Sequence, residues 1–278
     1  MIFEEFYLYL TVFGKTRIRM SKKHPFLKSL IYLFQLAKET LFVYSTHKIR
    51  SYSKKSVYTR MLCKKLPENE IKTVIEAGAR DLRDALAIKL CYRPRIIYAF
   101  EANSHALLKC AGTLKKYWMF RDGISLIPKA VWNESRMIKF YSVRGVKLKD
   151  GSGRLDPNIG MSSCFKEVRE DVVQEEIEVE AIRLDSFCAG ENITEIDLLC
   201  MDIEGAEYKA LVGLGEYIHK VKFIITELYF KPEKIGQATF EAVNAFLEDK
   251  GFVLLDAVSD GNPLYSNFLF ARKEYAGV

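Results

Sequence analysis

KTVIEAGARDLRDALAIKLCY, Lys72 to Tyr92, runs from an apolar strand pattern through Gly78 into a helical one. A strand feeding directly into a helix is the unit from which parallel sheets are built. The composition of its turn narrows the ligand. Loops that cradle phosphate carry two or three glycines and avoid carboxylates, because a pyrophosphate must approach the backbone at a helix N-terminus. This turn has one glycine, with Glu76, Asp81 and Asp84 around it. A phosphate ligand is disfavoured.

Outward from this stretch the alternation continues. RIIYAFE (95–101) reads as a second strand, followed by a helix opening at Asn103 or Ser104, both good N-caps. ISLIPKAV (124–131) is a third, and IDLLCMD (196–202) and VKFIITE (221–227) are nearly continuous apolar runs, as strands covered on both faces should be. A helix is expected from about Thr239 to Lys250. FVLLDAV and NFLFARK then form an antiparallel edge pair through the turn Asp260-Gly261-Asn262-Pro263. The glycine-rich segment Arg144 to Ser163 reads as a loop or flap, and EIEVEAIRL (176–184) as a half-exposed strand. The expected fold class is α/β, a doubly wound, mostly parallel sheet over residues 67–278 behind a helical N-terminal extension, 1–66.

That extension is basic. Residues 1–66 hold 14 Lys/Arg against 3 acidic residues, whereas the remaining 28 Lys/Arg meet 33 acidic residues. The asymmetry points to an anionic partner for the front segment. Phe26, Leu30, Leu33, Phe34, Ala37 and Leu41 recur at helical steps. Such a stripe either packs on the body or gives peripheral contact with an anionic membrane through residues 1–66; nucleic acid is the least favoured partner. Lys28, Lys38 and Glu39 interrupt the most apolar stretch before it reaches the length of a span. Six cysteines without CxxC spacing suggest neither a zinc site nor a disulfide framework. With no signal-peptide pattern either, a cytoplasmic location is expected.

In open parallel sheets, ligands sit beyond the carboxyl ends of the strands. There the first strand delivers Glu76, Gly78, Ala79 and Asp81; the second, Glu101; the fourth, Asp202, Glu204 and Glu207; the fifth, Glu227. A rim of carboxylates suits S-adenosylmethionine, which carries a sulfonium cation and no phosphate. Glu101 lies 23 residues after Gly78, close to the roughly 20-residue offset at which an acid takes ribose hydroxyls in related folds. The bland alternative for Glu101 is a cap or a solvated acid.

In VIEAGARD, IYAFEAN, the triplet Met161 to Ser163, and LDSF…IDLLCMDIEGAEYKALVGL followed by FIITEL, the chain resembles the FkbM-type family of S-adenosylmethionine-dependent methyltransferases. DIEGAE, Asp202 to Glu207, is the most specific of these, and the resemblance covers about residues 67–272. It implies a seven-stranded Rossmann-like methyltransferase fold with the last strand antiparallel, and a cofactor held by Glu76, Gly78, Ala79, Asp81, Glu101 and Asn103. It also implies methylation of a hydroxyl, often on a sugar, glycan or natural product. Two departures stand out: Glu76 replaces a more usual Asp, and Leu82 stands where many members have a second glycine.

A sugar hydroxyl is scarcely ionised at neutral pH, so a general base helps methyl transfer. Asp202, Glu204 and Glu207 are the catalytic candidates; the alternative for the two glutamates is charge stabilisation of a helix N-terminus. Ser162 and Ser163 line the acceptor side if the flap folds over it. Arg80 is a candidate for the methionine carboxylate and His105 for the adenine, the favoured alternatives being a solvated arginine and a surface histidine. No metal site is expected. A non-catalytic adaptor that docks through the basic segment is the rival reading, and a metal-dependent hydrolase a third.

Overall fold

The computed structural model describes residues 7–8, 18–19, 25–66, 70–147, 159–259 and 261–277. Most of the expected flap, residues 148–158, lies outside them. The chain divides into Met1–Lys48 and Ile49–Val278. The first unit contains the antiparallel pair β1 (Tyr7–Leu8) and β2 (Ile18–Arg19) and most of helix α1 (Pro25–Ser53). No helix among the described residues is long and apolar enough to cross a membrane.

The second unit begins before Leu66, where the charge pattern had placed the division. Ser56 caps helix α2 (Val57–Lys65) by accepting from the Thr59 N–H, and Met61 and Leu62 of α2 are fully buried. Strand β3 (Thr73–Ala77) leads to α3 (Arg83–Tyr92), β4 (Ile96–Phe100), α4 (Ser104–Lys116) and β5 (Ile124–Ile127). Pro128 ends β5, and β6 (Ala130–Val131) continues beyond it. Strands β7 (Met137–Val146) and β8 (Val172–Ile182) form a long antiparallel ladder, with β6 parallel to β8. Residues 144–146, read from sequence as loop, are thus strand: Val143 and Gly145 straddle a bulge that lets β7 keep its pairing to Val172. Helix α5 (Leu184–Gly190), β9 (Ile196–Met201), α6 (Glu207–Val212), β10 (Val221–Tyr229), α7 (Phe240–Asp249), β11 (Phe252–Val258) and β12 (Tyr265–Arg272) complete the chain.

The seven-stranded sheet has the order β11-β12-β10-β9-β3-β4-β5, with β12 antiparallel to both neighbours. All five residues of β3 and all six of β9 are buried, because helices cover both faces. Alternate residues serve opposite cores. Ile75 and Leu199 join Leu184, Leu211 and Val243 of α5 to α7, whereas Val74 and Leu198 join Leu62, Ile88 and Cys110 of α2 to α4. At one end Asp197 accepts from the N–H groups of Lys72 and Thr73, both at 2.8 Å, and fixes β3 against β9. At the other end the order reverses: the chain steps from β3 to β4 and β5, then returns to lay β9 on the far side of β3. That reversal opens a crevice between β3 and β9.

Candidate active site

Gly78 lines the crevice. Its φ is +89°, and a Cβ there would lie 1.9 Å from the carbonyl oxygen of Asp202, so only glycine fits. The Gly78 and Ala79 N–H groups donate to the Phe100 carbonyl at 3.0 and 2.9 Å, strapping the turn to the end of β4. Arg80 and Leu82 also take positive φ, 48° and 63°. Leu82 tolerates this because its side chain is wholly buried among α2, α3 and the sheet; burial of a leucine outweighs the ~1–2 kcal/mol cost of the left-handed region.

Glu101, at the end of β4, holds the turn in place. Its carboxylate accepts from the Arg80 N–H and the Asn103 N–H, both at 2.8 Å. Burial pushes its carboxyl up, while those N–H groups and the Arg80 guanidinium pull it back. It lines the crevice together with Gly78, Arg80, Lys129 and Asp202, and the carboxylate keeps lone-pair capacity for a ligand hydroxyl. Asn103 is the N-cap of α4, accepting from the His105 N–H, and its amide donates to Ser162 Oγ at 2.8 Å. Its side chain is consumed by structure. Asp81 is likewise committed to the first turn of α3, where it takes the Arg83 N–H and pairs with the Arg83 guanidinium at 3.1 Å. His105 contacts Arg144.

On the other side of the crevice, Asp202 directly follows β9 and its N–H donates to the Ala77 carbonyl. Burial, then the charge of Glu204, pushes its carboxyl up to about 8, against the pull of Arg80. Glu204 takes a positive φ of 56° and pairs with the buried Lys234 at 2.8 Å. Glu207 belongs elsewhere: its carboxylate accepts from the Ile203 and Gly205 N–H groups at 3.0 and 3.3 Å. It holds the DIEGAE turn shut and lines none of the clefts described here. Burial lifts it to about 7, with those N–H groups opposing.

Ser162 and Ser163 are latches. Ser162 Oγ accepts from Asn103 and from the Val143 N–H, while Ser163 Oγ donates to the Glu204 carbonyl at 2.8 Å. Ser162 also lines the crevice, and Gly160 and Met161 beside it line a second cleft with Glu227, Tyr229, Lys234 and Tyr265.

Glu76, Ala79, Tyr52, Ser56, Tyr58 and Asn267 line a third cleft. Arg80 is common to all three. Tyr52, Tyr58, Lys129, Lys234 and Tyr265 escaped the sequence reading because each reaches the site from a segment with no motif of its own. Glu76 is 4% exposed and its Oε2 has no partner. Among the described residues no group of His, Cys, Asp and Glu is placed to hold a metal ion.

These features fit a phosphate-free cationic cofactor. A buried carboxylate oxygen lacks a donor, and the lining is rich in acids.

A family model described as Methyltransferase FkbM domain matches residues 76–254. The 2-O-methyltransferase NoeI of Sinorhizobium fredii is 29% identical over 182 residues, 64% of this chain and 72% of that protein. Among solved structures, the methyltransferase FkbM from Methylobacillus flagellatus gives a TM-score of 0.50 at 12% identity, over 74% of this chain and 44% of that one. TrmK of M. capricolum in complex with S-adenosyl-homocysteine gives 0.46 at 10% identity, over 78% and 69%.

Proposed function

The chain belongs to the FkbM family of S-adenosylmethionine-dependent methyltransferases, and from that premise we propose that it methylates a hydroxyl on a sugar, glycan or natural product. The observation that carries this reading is the crevice at the switch point, where Gly78 meets Asp202 and Glu101 is held facing the same space. A relative named as a 2-O-methyltransferase supports a hydroxyl acceptor. A non-catalytic adaptor finds no support in the family match or in that relative.

When bound, S-adenosylmethionine supplies a methyl group on a sulfonium, open to displacement by an acceptor oxygen. Around that reaction the protein's own groups divide the work. Glu101 offers lone pairs to the ribose hydroxyls, with Gly78 and Ala79 giving close backbone approach. Asp202, raised to about 8, is tuned to accept a hydroxyl proton near neutral pH, where a base whose pKa is close to the working pH is most effective. Glu204, fixed by Lys234, orients the acceptor from the second cleft. Glu207 supports the turn that presents them both.

Calorimetry with S-adenosylhomocysteine tests the reading; absence of binding at high micromolar ligand would sink it. Transfer from a ¹³C-methyl cofactor to a panel of polyhydroxylated acceptors, read as new methoxy signals by NMR, tests the acceptor class. The surplus of Lys and Arg in residues 1–66 supports peripheral contact with an anionic membrane. Flotation with phosphatidylserine vesicles, lost at high salt, is the expected result.

A further inference from the structure

Helix α1 carries an apolar surface that contact with water alone does not explain. Every residue from Ser29 to Tyr44 is exposed, whereas Ser45, Ile49 and Ser53 further along the same helix are buried. Ten large apolar side chains are exposed between Leu30 and Tyr44, with Tyr32 and Val43 at 65% and 66%. Elsewhere among the described residues such side chains are scattered singly along the chain, as on any protein surface. A contiguous apolar face marks a binding surface, and an isolated helix of this length is marginal in water without one.

The face is broad. At about 100° per residue, the side chains from Tyr32 through Leu36, Leu33 and Tyr44 to Phe34 sweep an arc of about 200°. A helix packed on a protein body needs a stripe of only about 100°, and a coiled-coil seam is narrower. Within the arc stands one hydroxyl, that of Thr40, and its Oγ1 donates to the Leu36 carbonyl at 2.8 Å. A hydroxyl satisfied inside its own helix enters hydrocarbon without stranding a donor. Gln35, Lys38 and Glu39 fall on the opposite side, with Ile31 and Phe42 among them.

Length and charge select the occupant. Residues 29–44 span about 24 Å, short of the ~30 Å of a bilayer's hydrocarbon, so the helix fits the plane of a membrane rather than its normal. Glu39 is the single acid of α1, against Lys28, Lys38, Lys48 and Arg50. A second copy would set like charge against like charge, whereas anionic headgroups complement it. The Lys38 and Lys48 ammonium groups lie 5.1 and 5.0 Å from the centroids of the Phe34 and Tyr44 rings. Their stems cover apolar surface while the charges reach outward, as snorkelling cations do at an interface.

We propose that residues 29–44 of α1 form an in-plane membrane helix whose apolar arc, centred on Leu33, inserts among the acyl chains of an anionic bilayer. The insertion rests on the peripheral contact proposed above and adds to it a hydrophobic part: headgroup attraction brings the helix to the surface, and burial of the arc holds it there.

Flotation of the full chain at low salt, with vesicles of phosphatidylcholine and phosphatidylserine in equal parts, tests the two parts separately. The triple variant Leu33→Ser/Leu36→Ser/Leu41→Ser keeps every charge, and its positions are exposed, so its melting temperature should match the wild type. Its vesicle affinity should fall roughly tenfold or more. Phe34→Trp reports insertion directly and does not depend on the triple variant folding. Its added fluorescence should be quenched by lipids brominated on the acyl chains, while wild-type emission from Trp118 and Trp132 is unchanged. A triple variant that floats like the wild type, or a Phe34→Trp signal that brominated chains leave unquenched, overturns insertion and leaves the electrostatic contact standing. A wild type that does not float overturns both. A wild-type dimer that the triple variant turns into a monomer, without flotation of either, gives the arc to a second copy and overturns the proposal.

Discussion

The two turns that face each other across the switch point, Gly78 to Leu82 and Asp202 to Glu207, share a plan and differ in where their staple comes from. Each leaves a buried parallel strand, passes through residues of positive φ, and is held by a carboxylate that takes backbone N–H groups. In the first turn the carboxylate is Glu101, from the neighbouring strand, and it remains in the crevice wall. In the second it is Glu207, from the turn's own helix, tucked beneath the loop it holds. A staple that arrives from the next strand can hold a turn and face a ligand together. One that arrives from its own helix is spent on the turn, which leaves Asp202 and Glu204 as the acids of that turn that line the crevice.

The sharpest way to break this picture is Gly78→Ala. The added Cβ would meet the Asp202 carbonyl at 1.9 Å, in a backbone region that L side chains avoid. Because both partners are backbone at adjacent strand ends, relief requires the strands to part. A loss of about 3 kcal/mol or more is expected, with S-adenosylhomocysteine binding abolished in calorimetry. Normal affinity would mean that the two turns do not meet.

Next in size is a response to pH that sets the two turns apart. Asp202 at about 8 and Glu207 at about 7 both lie above the ~4 of an unfolded carboxyl. The folded chain therefore keeps protons that the unfolded chain has released. Their contribution to stability is complete below about pH 4 and drains away as pH rises through 7 and 8. A cationic ligand has the opposite preference, because it favours ionised Asp202. S-adenosylmethionine affinity should rise by up to about tenfold per pH unit below 8 and then level off, while the melting temperature of the free protein falls. Asp202→Asn should flatten the affinity profile and leave the part of the stability loss that runs from about pH 4 to its end near 7, which belongs to Glu207. An affinity profile that stays sloped in that variant assigns the proton to another group.

The staples themselves can be compared directly. Glu101→Ala removes hydrogen bonds to a charged group that faces the ligand, so cofactor affinity should fall by ~1.5–3 kcal/mol, roughly 10- to 150-fold. Glu207→Ala strands two N–H groups beneath a loop, so the expected loss is ~1–3 kcal/mol of folding stability, read by denaturant melts, with affinity changed far less. Matching losses of affinity in the two variants would erase the distinction between the turns.

Much of the first turn was legible in sequence because its determinants are local. A strand run, one glycine and a helical pattern place Gly78, and an acid at the next strand end places Glu101. The seven strands were legible for the same reason, since each is a short apolar run, the central ones covered on both faces. The second turn was harder. Asp202, Glu204 and Glu207 look alike in sequence, and only the backbone path through Glu204 and Gly205 turns the last of them under the loop. Lys234, which pairs with Glu204 from 30 residues away, belongs to a segment with no periodicity to single it out. Tyr52, Ser56 and Tyr58 were lost in a front segment read for its charge.

The smallest expected effect separates the turns most finely, because neighbouring serines each serve one of them. Ser162 Oγ receives the Asn103 amide and the Val143 N–H, which ties β7 to the turn that Glu101 holds. Ser163 Oγ donates to the Glu204 carbonyl and accepts from the Phe165 N–H, which ties the same segment to the turn that Glu207 holds. Each alanine variant should lose about 1 kcal/mol, a few degrees of melting temperature or less in a chain of this size. The readout that distinguishes them is binding. Ser162→Ala frees the side chain of the residue whose N–H helps fix Glu101, so S-adenosylhomocysteine affinity should fall by a few-fold. Ser163→Ala loosens the Glu204 backbone instead, so cofactor affinity should hold while KM for the acceptor rises. The reverse pattern would mean that the cofactor and acceptor sides have been assigned to the wrong turns.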